Sequence, residues 1–275
     1  MQTLPKFFKQ ANTTITDELE RSVVVWHSRP LTIAFMRTPT GTCGTSIRVR
    51  DFFTEEILAE HPWTGGLGCA TVVEGVIYVF GSTDWSNPAG NQIISCALDA
   101  NYVPGTPHVV MQMPAGGNSY NTEIERRPDG WMMAVETIAN GITFLYSNNL
   151  WKWSPYGGCM NGPPRFYCAC PTINYNIDGM AYLTALRLQS DGSYQTWIAR
   201  SMNLANVGAF DWSAKALLVA EGPYEGTNSS DFSFCEWNGI TLCTYLVGTQ
   251  DAAPGLVARR GIYPGRLDQL WAEFF

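Results

Sequence analysis

Cys69-Ala70-Thr71-Val72-Val73-Glu74-Gly75-Val76-Ile77-Tyr78-Val79-Phe80 reads as two short strands folded back on a tight turn at Glu74-Gly75. The flanks are β-branched and aromatic, and Glu-Gly supplies the positive φ that a two-residue hairpin turn needs. The same plan recurs at Thr122–Val135 around Gly130, at Pro171–Thr184 around Gly179 and at Asp231–Tyr245 around Gly239. These glycines are 55, 49 and 60 residues apart, and an earlier copy runs from Val23 to Phe35 with its turn expected at Ser28-Arg29-Pro30. A Ser-x-x-Leu signature on a third strand repeats at Ser95, Ser147 and Ser201, 52 and 54 residues apart. Two signals on different strands thus keep the same period.

Five units of about fifty residues, each a small antiparallel sheet, predict an all-β, five-bladed β-propeller. The expected blades are 20–60, 67–112, 119–160, 166–215 and 227–265 of one domain. The tail Leu267–Phe275 has helical period and enough apolar residues to pack on the body. The acidic opening up to Glu20 is expected to cover an edge.

Composition agrees with a packed β domain. Charged residues make up 15% of the 275 and aromatics 13%, a balance foreign to disorder or coiled coil. Lys plus Arg number 17 against 24 Asp plus Glu, a net charge of −7, with four lysines in all. Such a chain has no cationic footprint for nucleic acid. No apolar run is long enough to span a bilayer, and the amino terminus does not read as a secretory leader, so the expectation is a cytoplasmic or released protein, for instance one carried on a virion. The eight cysteines lack metal spacing, and most sit in apolar alternation, where thiols act as small hydrophobes. His27, His61 and His108 have no metal-ligand spacing either.

In a propeller, the starts of the innermost strands and the ends of the second strands meet at one face. Four carboxylates fall there: Glu123 and Asp231 near the starts of inner strands, Asp84 and Glu136 after or at the ends of second strands. Trp85, Tyr120, Asn121, Arg165, Tyr167 and Asn228 interleave with them as candidate substrate-binding residues. Glycosidic cleavage needs one carboxyl group to protonate the leaving oxygen and a second to activate water or attack the anomeric carbon. Crowded carboxylates raise one another's pKa, and aromatic rings stack on the apolar faces of sugars. The roles expected are Glu123 as acid and Asp231 as base, with Glu136 and Asp84 tuning them. Glu74, Asp129, Asp178 and Asn238 belong to the turns at the other face.

Asn121-Thr122-Glu123-Ile124, Gly130–Glu136, Tyr167–Pro171, Ala199–Leu204, Asn228–Gly239 and Gly265–Phe275 together resemble the five-bladed propeller superfamily of glycoside hydrolases, family 43 and its arabinanase, xylosidase and fructosidase relatives. The resemblance spans about Val23 to Phe275. It implies an axial acidic funnel holding an Asp base, a second Asp that tunes pKa and a Glu acid. In that family the base stands on the first inner strand, whereas Val23–His27 carries no carboxylate; Glu221-Gly222-Pro223 looks like the acid motif but precedes the fifth inner strand. The expected partner is a carbohydrate, the assembly a monomer or small homo-oligomer. No cofactor or metal is required, although an ion in the axial channel is compatible with the fold. The alternative is a non-catalytic sugar-binding propeller for recognition or adhesion. A weaker one is a protein-interaction propeller, which would carry an extended apolar patch on one face.

Overall fold

A computed structural model of the chain describes residues 8–9, 18–37, 44–137, 141–160, 172–175, 178–205, 210–219, 226–249 and 255–275. Among them the fold is nearly all β, with one short helix near the C-terminus. Strands β1 (Phe8–Lys9), β2 (Leu19–Trp26), β3 (Arg29–Arg37), β4 (Gly44–Asp51) and β5 (Ile57–Pro62) open the chain, and β2 to β5 form a four-stranded sheet in sequence order. The second sheet is β6 (Gly66–Val73), β7 (Val76–Ser82), β8 (Gln92–Ala97) and β9 (His108–Gln112). The third is β10 (Ser119–Arg127), β11 (Gly130–Thr137), β12 (Gly141–Ser147) and β13 (Ser154–Met160).

The remaining strands share one eight-stranded sheet with two antiparallel halves. One half is β14 (Thr172–Tyr175), β15 (Ala181–Leu188), β16 (Tyr194–Ser201) and β17 (Asp211–Trp212). The other is β18 (Asn228–Trp237), β19 (Ile240–Gly248) and β20 (Leu256–Tyr263), with β1 on the outer edge of β20. A single parallel pair, Tyr194 with Asn228, joins the halves. The first strand of each group lies against the first strand of the next: β2 on β6, β6 on β10, β10 on β14, β14 on β18, and β18 back on β2. These sheets are consistent with the blades of a propeller.

Turn chemistry explains the hairpins. Glu74-Gly75 and Asn238-Gly239 both take positive φ at each residue (51° and 78°, 50° and 80°), as a turn matching the twist of the strands requires. The first hairpin turns at His27-Ser28 (47° and 63°), one residue earlier than the sequence suggests and without glycine. The indole of Trp237 donates to the Ser28 carbonyl at 3.0 Å, and the Trp26 indole donates to the Gly75 carbonyl at 2.7 Å. Each tryptophan ends a first strand and clasps the turn of the neighbouring group.

Apolar side chains fill the spaces between groups. Leu31, Ile33 and Phe35 meet Ile77 and Val79; Phe80 and Ile93 meet Met133 and Val135; Ala134 and Phe144 meet Ile173 and Leu183. Both faces of these strands are therefore apolar, and each buried side chain of this size contributes about 1.5–3 kcal/mol. Helix α1 (Leu267–Ala272) buries Leu270 and Trp271 against the last two groups. Trp271 stacks on Tyr182 with ring centroids 5.2 Å apart and donates to Asn174 at 3.1 Å.

Polar side chains stitch the ring. Ser22 Oγ accepts from the Ala70 amide at 2.9 Å, and Ser233 Oγ accepts from the Val23 amide at 3.2 Å. Thr122 donates to Cys69 Sγ at 3.8 Å, and Thr172 to the Phe232 carbonyl. A small polar or thiol side chain just past the start of each first strand thus bridges to its neighbour.

Candidate active site

Near its start, the first strand of four groups is broken by a register shift: between Leu19 and Arg21, Gly66 and Cys69, Ser119 and Thr122, and Ser230 and Ser233. Such bulges add an unpaired residue, bend the strand and re-aim a side chain. Glu20, Leu67 and Asp231 occupy three of them with φ of 54°, 49° and 50°. Non-glycine residues in that region are uncommon and costly, and they collect where a side chain must be presented.

A cavity of about 30 Å³ lies where these bulges meet, lined by Glu20, Gly68, Asn121, Glu123, Asp231 and their strand neighbours. Its size suits water rather than a sugar ring. Glycine is required at 68, because a Cβ there would collide with the Phe80 carbonyl. Three carboxylates from three strand groups therefore line one cavity. Among the described residues, no three His, Cys, Asp or Glu side chains are placed to hold a metal ion.

Burial raises the pKa of Glu123 well above the usual carboxylate range, and the charge of Glu125 adds to the shift. Glu125 itself is pushed up to about 8 by burial. Cys69 is driven up in the same way, first by burial and then by Glu123. Burial and the Glu125 charge both favour the protonated form of Glu123. Asp231 accepts from its neighbour Ser230 at 2.5 Å.

Glu136 stands opposite the third bulge, buried, and accepts from the Asn121 side-chain nitrogen at 2.7 Å. Asn121 lines the cavity and so ties Glu136 to it. Tyr120 fills the same bulge; burial and then the charge of Glu136 raise its phenol. The Trp85 and Tyr120 rings sit 6.2 Å apart. Asn118 fixes the pair, donating to the Trp85 carbonyl at 2.5 Å while accepting from the Asn91 amide at 2.9 Å.

Other expected residues lie elsewhere. Asp84 is exposed and outside the cavity: its carboxylate accepts from the Ser86 amide at 2.9 Å and hydroxyl at 2.6 Å, bonds that also lower its pKa. It shapes its own turn. Asn228 is buried at the junction of β16 and β18 and is not among the residues lining the cavity. Arg165, Tyr167 and the Glu221-Gly222-Pro223 motif fall outside the described residues. His27 sits in a turn, at the far end of β2 from Glu20.

Glu20 itself belongs to the first strand group, while the edge cover expected of the opening segment is seen where Phe8–Lys9 pairs along the outer edge of β20. Strand β2 starts at Leu19, so the first strand does carry a carboxylate near its start. Its flanks are locked. Glu18 is completely buried and accepts from Arg21 (2.8 Å), Arg48 (2.9 Å) and Arg50 (2.8 Å). Glu55 takes Arg21 at 3.1 Å and Arg260 at 2.5 Å. Glu18 and Arg21, on either side of Glu20, are thereby both held in buried ion pairs.

No family model matches the sequence, and no curated protein sequence is significantly similar to it. Solved structures do match in fold. An α-L-arabinofuranosidase from Lactobacillus brevis superposes with a TM-score of 0.70 at 10% identity, covering 92% of each chain. An α-L-arabinofuranosidase from Podospora anserina, solved with cellotriose, gives 0.67 at 8% identity over 94% of this chain and 95% of that one. A GH43 enzyme from Xanthomonas citri, solved with xylotriose, gives 0.65 at 12% identity over 93% and 89%. The chain therefore shares the fold of these glycosidases over more than nine-tenths of its length, as its resemblance to family 43 implies.

Proposed function

We propose that the protein is a five-bladed propeller that hydrolyses a glycosidic bond in an oligo- or polysaccharide. The observation carrying this reading is the shared cavity of Glu20, Glu123 and Asp231, in which burial raises the pKa of Glu123. The closed ring of first strands supports five blades. Glu123 donates its proton to the leaving oxygen, and Asp231, with Glu20 beside it, takes a proton from a water attacking the anomeric carbon. In the inverting route Asp231 activates that water on the face of the sugar ring opposite the leaving group, while Glu123 stands at the leaving oxygen. Asn121 and Glu136 hold the rim, and Trp85 with Tyr120 offers a ring surface to the sugar. Arabinose- and xylose-containing glycans are the substrates to try first, because neighbours in fold are arabinofuranosidases and a GH43 enzyme solved with xylotriose.

The test is product formation from arabino- and xylo-oligosaccharides. Glu123→Gln and Asp231→Asn should each lose about 10²–10⁴-fold in turnover while staying folded. Full turnover in both variants on a verified substrate sinks the assignment. The small cavity favours a second reading, a propeller that binds sugar at the rim without cleaving it; calorimetry showing binding and no product would select it.

A further inference from the structure

A second cavity, about 320 Å³, opens between the third and fourth strand groups. It lies at the opposite end of β10 from Glu123, among Arg127, Asp129, Tyr156, Tyr175, Met202 and Leu204. Its volume is at the lower end of the range for small-molecule sites.

Arg127 organises it. Its guanidinium stands 5.2 Å from the ring centre of Tyr156, 5.6 Å from Tyr175 and 5.9 Å from Tyr146. It also grips Asp129 through two bonds, at 3.0 and 3.2 Å, so the charges cancel. Tyr146 donates to the Asp129 carbonyl at 2.5 Å and holds that turn in place. The Tyr175 hydroxyl is buried and makes no hydrogen bond of normal geometry among the described residues. Burial pushes its phenol up, and the nearby Arg127 charge offsets this in part. Arg127 reaches this hydroxyl only in poor geometry, so a ligand hydroxyl would supply a better-aligned hydrogen bond. Met202, 64% exposed, leaves an apolar lip at the rim.

We propose that this cavity binds one ring of a neutral glycan, at a site separate from the carboxylate cavity and independent of catalysis. Tyrosine faces suit the C–H face of a sugar ring. The Arg127–Asp129 pair presents a donor fork beside an acceptor, a match for neighbouring hydroxyls, and its neutrality gives an acidic sugar no advantage.

The test is titration of the full chain by NMR with xylotriose, cellotriose and a galacturonate trimer, on wild type, Tyr175→Phe, Arg127→Leu and Glu123→Gln. A neutral trisaccharide should shift signals around Tyr156 and Tyr175. Tyr175→Phe should weaken that binding about tenfold, the effect of one lost hydrogen bond. Glu123→Gln should leave it intact. The proposal is overturned if no trimer binds, if the galacturonate trimer is preferred, or if Tyr175→Phe and Arg127→Leu both bind as wild type does. Loss of all binding in Glu123→Gln would also overturn it and leave the hydrolase reading standing. Intact binding without product from the wild type would leave this site and remove the hydrolase.

Discussion

Glu125 follows Glu123 by two residues on β10, and its charge adds to the burial that raises the pKa of Glu123. Both carboxyl groups titrate higher in the folded protein than in the unfolded chain, from an ordinary value of 4.5 to about 8 for Glu125. The folded state then binds more protons between those limits, so stability is full below about pH 4.5 and declines as pH rises to about 8. Thermal melts between pH 5 and 8 should show this decline, and Glu125→Gln should flatten it. A melting temperature that rises over that interval contradicts the assignment.

The same substitution should reach catalysis. Removing the Glu125 charge lowers the pKa of Glu123 without touching the cavity lining. The alkaline limb of the pH–rate profile should move to lower pH in Glu125→Gln, with the maximal rate little changed. An unmoved limb would mean that Glu123 is not the acid.

Glu18 tests how the first bulge is held. Glu18→Gln leaves Arg21, Arg48 and Arg50 without their shared carboxylate. Breaking a buried pair on one side costs about 3–5 kcal/mol, or a fall of about 10 °C in melting temperature for a chain of this length. A loss under about 1 kcal/mol would show that the network does not brace the bulge.

Asn121→Ala removes the 2.7 Å bond to Glu136. A hydrogen bond to a charged partner is worth about 1.5–3 kcal/mol, so turnover or sugar affinity should fall about 10- to 150-fold. Wild-type kinetics and binding in this variant would detach Glu136 from the site.

Trp271→Ala removes a side chain that is 1% exposed and stacked on Tyr182. The expected cost is about 3–5 kcal/mol. Chemical denaturation checks it, and an unchanged midpoint would show that α1 is not docked in solution.

The repeat was legible because hairpin turns constrain backbone sign: Gly75 and Gly239 sit at positive φ, and their spacing survives in the sequence. Glu123 was legible because the Gly130 turn fixes where its strand begins and so which residue stands near that start. Glu20 was not, since Glu18, Glu20 and Arg21 look like a solvated run, and the partners that bury this stretch, Arg48, Arg50, Glu55 and Arg260, are 30 to 240 residues away. Asp84 misled for the opposite reason. Its position near the end of β7 is right for a mouth residue, but the Ser two places on captures it locally. The His27-Ser28 turn carries no glycine, so nothing in the composition of that segment marks it.

The bond from the Val23 amide to Ser233 spans 210 residues, and Thr244 reaches back 223 to the Arg21 carbonyl. A nascent chain therefore presents an open arc with apolar flanks until its fifth group emerges, and bridging so long a separation is entropically slow. Folding on the ribosome has to wait for the last strands before the circle locks, and that interval is when a chaperone has the most to protect.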